Sequence, residues 1–316
     1  MTKGLEIYDL LLDVTGDNKA VVEDFLVGLT WTYCRSEATG LCMTSELRDR
    51  SFDWPGSIKD QSIGKLASLI TDWHAMKSSM AMAAINSVVN TNLPDNSNIL
   101  SPESNSANLA VLNHFLPHII NKQSVVIGRY PGLEALQKEH SLQVVEINPG
   151  PNDLPAQAVE YVLPNAEWVF LTGTSIANKT FPRLMELSKN ATVVLMGPSV
   201  PWLEELSEFG VDFLAGVTVQ DEQRLRQVIA EGGGVNIFND SVRYFVADLG
   251  QKTLTHTKEK IAAVVKKRDL LKEEMSVWYK DTNNGSFPKA TELIALDEEL
   301  SFLDSKYKQM WDVRNL

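Results

Sequence analysis

A chain of 316 residues with 44% hydrophobic and 22% charged residues has the composition of a globular protein and is too long for one ordinary core. Its formal charge of −12 argues against nucleic acid or an anionic membrane as the main partner, and two cysteines are too few for a disulfide scaffold. The acid is unevenly placed: residues 1–250 hold 17 Lys/Arg against 30 Asp/Glu, while 251–316 hold 12 against 11. The N-terminus has acids among its leucines where a signal peptide would need a continuous apolar core, and no apolar stretch is long enough to span a bilayer. A cytoplasmic location is the resulting expectation.

In chain order, Leu5, Tyr8, Leu11 and Leu12 recur at helical spacing. Phe25 to Ser36 is rich in Val, Leu, Thr, Trp and Tyr and reads as one strand that includes Thr30, Trp31 and Thr32. Glu37-Ala38-Thr39-Gly40 supplies a turn, and Leu41 to Ser45 reads as the returning strand of a hairpin. A single long helix is expected from Ile63 to Asn90, with its second half, MAMAAINSVV, apolar nearly all round and so buried on several sides. Residues 91–108 are dense in Asn, Ser, Asp and Pro and mark a domain boundary.

Beyond that boundary the pattern changes. Short apolar runs recur at 124–128, 143–147, 168–171, 192–196 and 213–215, with helical segments at 132–139, 155–163, 179–189, 201–209 and 220–230 between and after them. Apolar runs without alternation suit parallel strands covered on both faces, and their repetition with helices predicts a doubly wound sheet. A charged helix follows over 253–280, broken by DTNNGSFP. The last helix carries Leu293, Leu296, Leu300, Leu303, Tyr307 and Met310 at spacings of 3, 4, 3, 4 and 3, a heptad seam. The expected fold class is therefore α/β, with an α+β domain over 1–100, a Rossmann-like parallel-sheet domain over 101–245 and a helical hairpin over 246–316. That hairpin reads either as an antiparallel pair packed on itself or as an arm, over 253–316, that docks a second copy or another protein.

In an open parallel sheet the ligand crevice lies beyond the carboxyl ends of the strands. After the first strand stands Gly128-Arg129-Tyr130-Pro131-Gly132, which lacks the G-x-G-x-x-G spacing of a dinucleotide site but can present amides to an anion. Glu146, with Asn148 close by, is the clearest carboxylate at a strand end: a ribose or metal ligand, or a group that closes a loop. Thr172, Gly173 and Thr174, followed by Asn178 and Thr180, offer hydroxyls and amides to a phosphate, a carboxylate or a polar ring, although helix capping uses the same residue types. Gly197, Pro198 and Ser199 form a stiff loop that fixes where the serine points, outside any G-x-S-x-G elbow.

Other candidates are weaker. His114 and His118 lie four apart without an H-E-x-x-H pattern, which favours packing or surface roles. Cys34 and Cys42 make half a zinc site at best. Lys179, beside a helix start, reads as solvated. Thr30, Thr44 and Asn86 form a polar cluster in the first domain, and a buried asparagine must either fix a loop or face a ligand.

Several segments carry a family likeness. GRYPGL (128–133), VVEINP (144–149), DLPAQAVEYVLPNAEWVFLTGTSIANKT (153–180), VVLMGPSVP (193–201), AGVTVQD (215–221) and GGGVNIF (232–238) resemble, in order and spacing, the putative heavy-metal chelation family. GLTWTYCRSEATGLCMTS (28–45) and MAAINSVVN (82–90) look like that family's N-terminal partner. The resemblance implies an enolase-N-terminal-like domain against a Rossmann-like domain with a site between them. It also implies chelation of a metal or handling of a metal-bearing cofactor. The hairpin lies outside it.

Three functional readings stand. The chain binds a small ligand, a metal ion or a metal-bearing cofactor in an interdomain cleft; or it is an enzyme acting on a small anionic or nucleotide-like metabolite; or it is an accessory protein docking a partner through the hairpin. Oxygen donors of the kind gathered here suit a divalent hard cation, with Glu146 as its carboxylate, better than a soft heavy metal.

Overall fold

The computed structural model describes residues 6–16, 18–45, 54–95, 97–100, 107–281 and 285–314. They fall into two compact units, Met1–Leu249 and Gly250–Leu316, and each is taken by itself.

The first unit opens with helix α1 (Glu6–Gly16) and an antiparallel sheet of β1 (Asp24–Val27), β2 (Trp31–Arg35) and β3 (Thr39–Met43). Here the expected hairpin is a three-stranded meander. The run from 25 to 36 breaks at Gly28, whose missing Cβ would stand 2.7 Å from the Ile229 side chain and 2.8 Å from its carbonyl. Close approach to a helix turns the chain, so Thr30 lies in the turn and not in a strand.

The single helix expected over 63–90 is also interrupted. It is α2 (Ile63–Ala67), a 3-10 turn (Ser68–Thr71) and α3 (Ala75–Val89). Asp72 makes the break: its carboxylate accepts from the His74 amide at 2.8 Å and from Lys77 at 2.8 Å, and its carbonyl accepts from Ser78 Oγ at 2.9 Å. Local bonds of this kind compete with the helical ladder. The apolar second half is buried on all sides, as MAMAAINSVV requires.

Eight strands form the large sheet, in the order β4-β11-β10-β9-β8-β5-β6-β7. They are β4 (Ser97–Ile99), β5 (Ser124–Ile127), β6 (Gln143–Glu146), β7 (Leu154–Pro155), β8 (Trp168–Thr172), β9 (Thr192–Met196), β10 (Phe213–Val219) and β11 (Val242–Asp248). From β7 to β10 all neighbours are parallel, while β11 runs antiparallel to β10 and β4 antiparallel to β11. These last two strands have no counterpart among the apolar runs. The helices of this part are α4 (Ala110–Ile119), α5 (Leu133–His140), α6 (Val159–Val162), α7 (Thr174–Ala177), α8 (Phe181–Leu187), α9 (Glu222–Ala230) and α10 (Ile237–Asp240). The stretch expected as a helix over 201–209 is a 3-10 segment, Glu204–Phe209.

One continuous core joins Ile7, Leu11, Ile70 and Ile85 to Val169, Leu171, Leu195 and Leu214 of the large sheet. On the sheet's other face Phe115 of α4 meets Trp168, Phe170 and Phe213.

The second unit is a pair of helices, α11 (Gly250–Asp281) and α12 (Ala290–Arg314). Val264 and Leu271 pack with Leu296 and Leu303, so part of the heptad seam forms the inside of the hairpin. Lys289–Glu274 at 2.7 Å and Lys267–Glu292 at 3.2 Å flank it. No helix among the described residues is long and apolar enough to cross a membrane.

Candidate functional site

The order of the large sheet fixes where a crevice must open. From β5 the chain runs outward through β6 and β7, then returns to the other side of β5 to continue through β8, β9 and β10. The switch point therefore lies between the ends of β5 and β8, at Gly128 and Thr172. These ends approach closely: a Cβ on Gly128, whose φ is +99°, would stand 3.3 Å from that of Thr172.

Tyr130 spans this point. Its hydroxyl reaches a position 3.6 Å from where a Cβ of Gly197 would stand, at the end of β9. Burial raises the phenol above its ordinary range, opposed by the nearby Thr172 side chain. From Thr172 the hydroxyls continue, Oγ1 to Thr174 Oγ1 at 3.3 Å and Thr174 Oγ1 to Ser199 Oγ at 3.5 Å. Ser199 Oγ accepts the Met43 amide of β3 at 3.0 Å, and the Met43 sulfur lies 4.0 Å from Thr174 Oγ1. Tyr130, Thr172, Thr174 and Ser199 thus form a row of uncharged hydroxyls across three strand ends, closed at one end by the three-stranded sheet.

The loop beneath this row is held from α3. Asn86 donates to the carbonyls of Leu41 at 2.9 Å and Ser199 at 3.1 Å, while Asn90 donates to Val200 and accepts the Trp202 amide at 2.8 Å. Asn86 therefore fixes a loop. Gly173 lets the same loop pass, because its Cβ would meet the Val200 nitrogen at 2.9 Å, and Pro198 is buried beside it.

The remaining candidates make local bonds of their own. Glu146 accepts the Arg129 amide at 2.7 Å with one oxygen and the Ile147 amide at 2.6 Å with the other, so the carboxylate closes its own turn. Asn148 is exposed and its amide faces the same Glu146 oxygen at 3.5 Å. The Pro131 carbonyl accepts from Asn108 at 2.7 Å. Asn178 Oδ1 accepts the Thr180 amide at 3.1 Å and the Thr180 hydroxyl at 2.6 Å, an exposed local turn ahead of α8. Thr44 meets Thr32 at 3.0 Å, and the Thr30 carbonyl accepts the Thr44 amide at 2.8 Å.

Arg129, the cation of the first crevice turn, is engaged by Glu134 at 2.6 Å and Asp153 at 2.9 Å, which hold it charged. Lys179 departs from the solvated reading: it is half-buried, with Nζ turned into the protein. Residue type alone gave no sign of this, because its surroundings come from positions about a hundred residues away. Glu222, on α9, was not singled out either. It accepts from Tyr33 at 2.8 Å and Thr39 at 2.9 Å and pairs with Arg35 at 3.0 Å, tying the small sheet to α9.

The donor set does not fit a soft metal. Cys34 and Cys42 are buried, and burial pushes both thiols up to about 12, so neither is a thiolate at neutral pH. Among the described residues no group of three or more His, Cys, Asp and Glu side chains is placed to hold a metal ion. His118 stacks on Trp168, 6.1 Å between ring centroids, and His114 meets Phe115 edge-on at 4.8 Å. In the first unit a hollow of about 420 Å³ is bounded by Phe25, Leu26, Trp54, Ile58 and Met76, none of them in the hydroxyl row, and the hairpin unit by itself has a hollow of about 760 Å³ bounded by Leu270, Val277, Trp278 and Phe287.

Two family models, both described as "Putative heavy-metal chelation", match residues 8–89 and 110–248. Among curated proteins, the uncharacterized protein MJ0500 of Methanocaldococcus jannaschii is 27% identical over 231 residues, covering 67% of this chain and 83% of the relative. A crystal structure of a DUF364-family protein of unknown function from Desulfitobacterium hafniense superposes with a TM-score of 0.66 at 25% identity, covering 78% of this chain and 99% of that one. Another, from Pyrococcus horikoshii, gives 0.64 at 20% identity over 77% and 98%, a likeness of fold. The hydroxyl row and the two-sheet core that carries it thus lie within the matched segments, and the chain belongs to the family described as "Putative heavy-metal chelation".

Proposed function

We propose that this chain binds a small, oxygen-rich or carbonyl-bearing molecule along the row Tyr130–Thr172–Thr174–Ser199, where the crevice of the large sheet meets β3. The observation that carries this reading is the row itself: four hydroxyls across the ends of β5, β8 and β9 at the switch point. Hydroxyls both donate and accept, so they recognise polar groups without requiring a fixed charge. Arg129 is spent on Glu134 and Asp153, which weakens the case for a strongly anionic ligand.

A metal enters this reading as cargo, carried by an organic molecule gripped through its periphery. That keeps the family description and the donor chemistry compatible, since thiols at about 12 and histidines packed on aromatic rings make a poor soft-metal chelate. The reading does not require catalysis.

Native mass spectrometry with elemental analysis tests it, on untagged protein purified without oxygen. The expected result is a bound organic mass, with or without metal, that is lost in Thr174→Val and Tyr130→Phe variants of unchanged fold. A metal bound stoichiometrically without any organic mass, or a ligand retained in both variants, would overturn it.

A further inference from the structure

Lys179 occupies left-handed backbone, φ +68°, which few residues with a side chain adopt. It stands between α7 and α8, at the end of the turn that begins at Thr174. Its Nζ crosses to the layer formed by α1, α2 and α3. There it donates to the Ile70 carbonyl and to Ser78 Oγ at 2.8 Å, and it keeps a third bond to the Ala177 carbonyl at 3.3 Å.

An ammonium has three N–H donors, and here each has an acceptor. The nitrogen also lies 4.9 Å from the centroid of the Tyr8 ring, within cation–π range. That ring is itself fixed, because the Tyr8 hydroxyl donates to the Ile176 carbonyl at 3.0 Å. Asp72, a carboxylate that acts on Lys179, is bonded to Lys77. The Tyr8 phenol and the neutral thiol of Cys42 are its other titratable neighbours. Burial draws the Lys179 amine down to about 8, which leaves it charged at neutral pH.

From this geometry we propose that Ile70, Ser78, Ala177 and the face of Tyr8 form a primary-ammonium site, filled in this chain by its own Lys179. The lysine is a positioning residue. It staples the Thr174–Asn178 turn to α3 and the 3-10 turn before it, with acceptors drawn from both layers. The chemistry it selects is specific: a compact cation with three N–H groups fits, a planar guanidinium mismatches the acceptors, and a quaternary ammonium has nothing to donate. The assignment stands without the proposed ligand site, since none of its groups belongs to the hydroxyl row.

The test is chemical rescue on the full chain. Lys179→Ala removes a propylammonium-sized fragment and should lower Tm by roughly 5–10 °C, the loss of charge-assisted hydrogen bonds in a unit of this size. Added n-propylammonium chloride should restore most of that loss, whereas equal tetramethylammonium or sodium chloride should not. Lys179→Met, which keeps the stem and drops the donors, should stay low in all three salts. Melting of Lys179→Met with the wild type, or rescue by tetramethylammonium equal to that by propylammonium, would overturn the site. Should Lys179→Ala fail to fold, the wild-type chain labelled with 15N-lysine decides. One slowly exchanging ammonium signal with cross-relaxation to Tyr8 ring protons is expected, and its absence overturns the assignment.

Discussion

Asn86, buried in the last turn of α3, donates its side-chain amide to the backbone carbonyl of Ser199 at 3.1 Å, and so holds the loop that carries one end of the hydroxyl row. Its second amide hydrogen goes to the Leu41 carbonyl of β3 at 2.9 Å. One side chain therefore fixes both sheets to one helix. Asn86→Ala leaves two buried carbonyls without a donor and opens a small cavity, at a cost of about 2–4 kcal/mol. Asn86→Asp also removes the donor and buries a carboxyl group among carbonyls, and should cost more. Urea unfolding checks this; an unchanged midpoint for Asn86→Ala would show that the loop is held by other contacts.

Gly40 marks the closest approach of β3 to α3. A Cβ there would stand 2.1 Å from the Ala83 carbonyl oxygen and 2.3 Å from the Ser87 nitrogen, both backbone atoms that have no room to yield. Gly40→Ala should destabilise the first unit by more than about 3 kcal/mol, beyond ordinary overpacking. Soluble expression with a near-native melting curve would mean that the strand and helix separate more easily than their packing implies.

The same residues show what could be read from sequence and what could not. The apolar runs at 124–128, 168–171 and 192–196 revealed β5, β8 and β9, because a strand covered on both faces needs no partner information to be apolar throughout. From strand ends the hydroxyls of Thr172, Thr174 and Ser199 followed directly. β11 was missed because its burial alternates along part of its length, as in VRYFVAD, and its antiparallel pairing is a tertiary fact. The break at Asp72 and the turn at Gly28 were missed for a related reason. One depends on a carboxylate folding back on His74 and Lys77, and the other on Ile229, two hundred residues away. Glu146 was legible as a carboxylate at a strand end, but only geometry shows both oxygens spent on backbone amides.

Buried phenols give the unit a definite alkaline behaviour. Burial raises Tyr8, Tyr33, Tyr130 and Tyr244 above the ordinary tyrosine value, and at Tyr33 the Glu222 carboxylate adds to it. In the unfolded chain these phenols lose their protons near pH ~10, while the folded chain keeps them. Above that pH the folded state binds more protons, so stability is fully present below ~10 and falls as pH rises through the raised values. Tyrosinate absorbance should therefore include a component that appears only as the far-ultraviolet dichroism collapses. A tyrosinate signal that completes while the dichroism is unchanged would contradict the burial of these rings.

The two cysteines decide how far heavy-metal chemistry can belong to the protein's own side chains. Cys34 of β2 and Cys42 of β3 lie on one face of the small sheet, as the pairing of Thr32 with Cys42 and of Cys34 with Gly40 requires, and that face is covered by α3. With both thiols pushed up to about 12, the thiolate fraction at neutral pH is negligible, and a soft ion would have to pay for deprotonation as well as entry. Native protein should therefore react with neither a disulfide reagent nor a mercurial on the timescale at which the urea-unfolded chain yields both of its cysteines. Cys34→Ala should leave any bound organic ligand in place, because that thiol faces Ser87 of α3, whereas the Cys42 thiol touches Ser199 of the hydroxyl row. Rapid modification of Cys34 in the folded protein, or loss of a bound metal on Cys34→Ala, would place metal chemistry inside the small sheet and not at the strand ends.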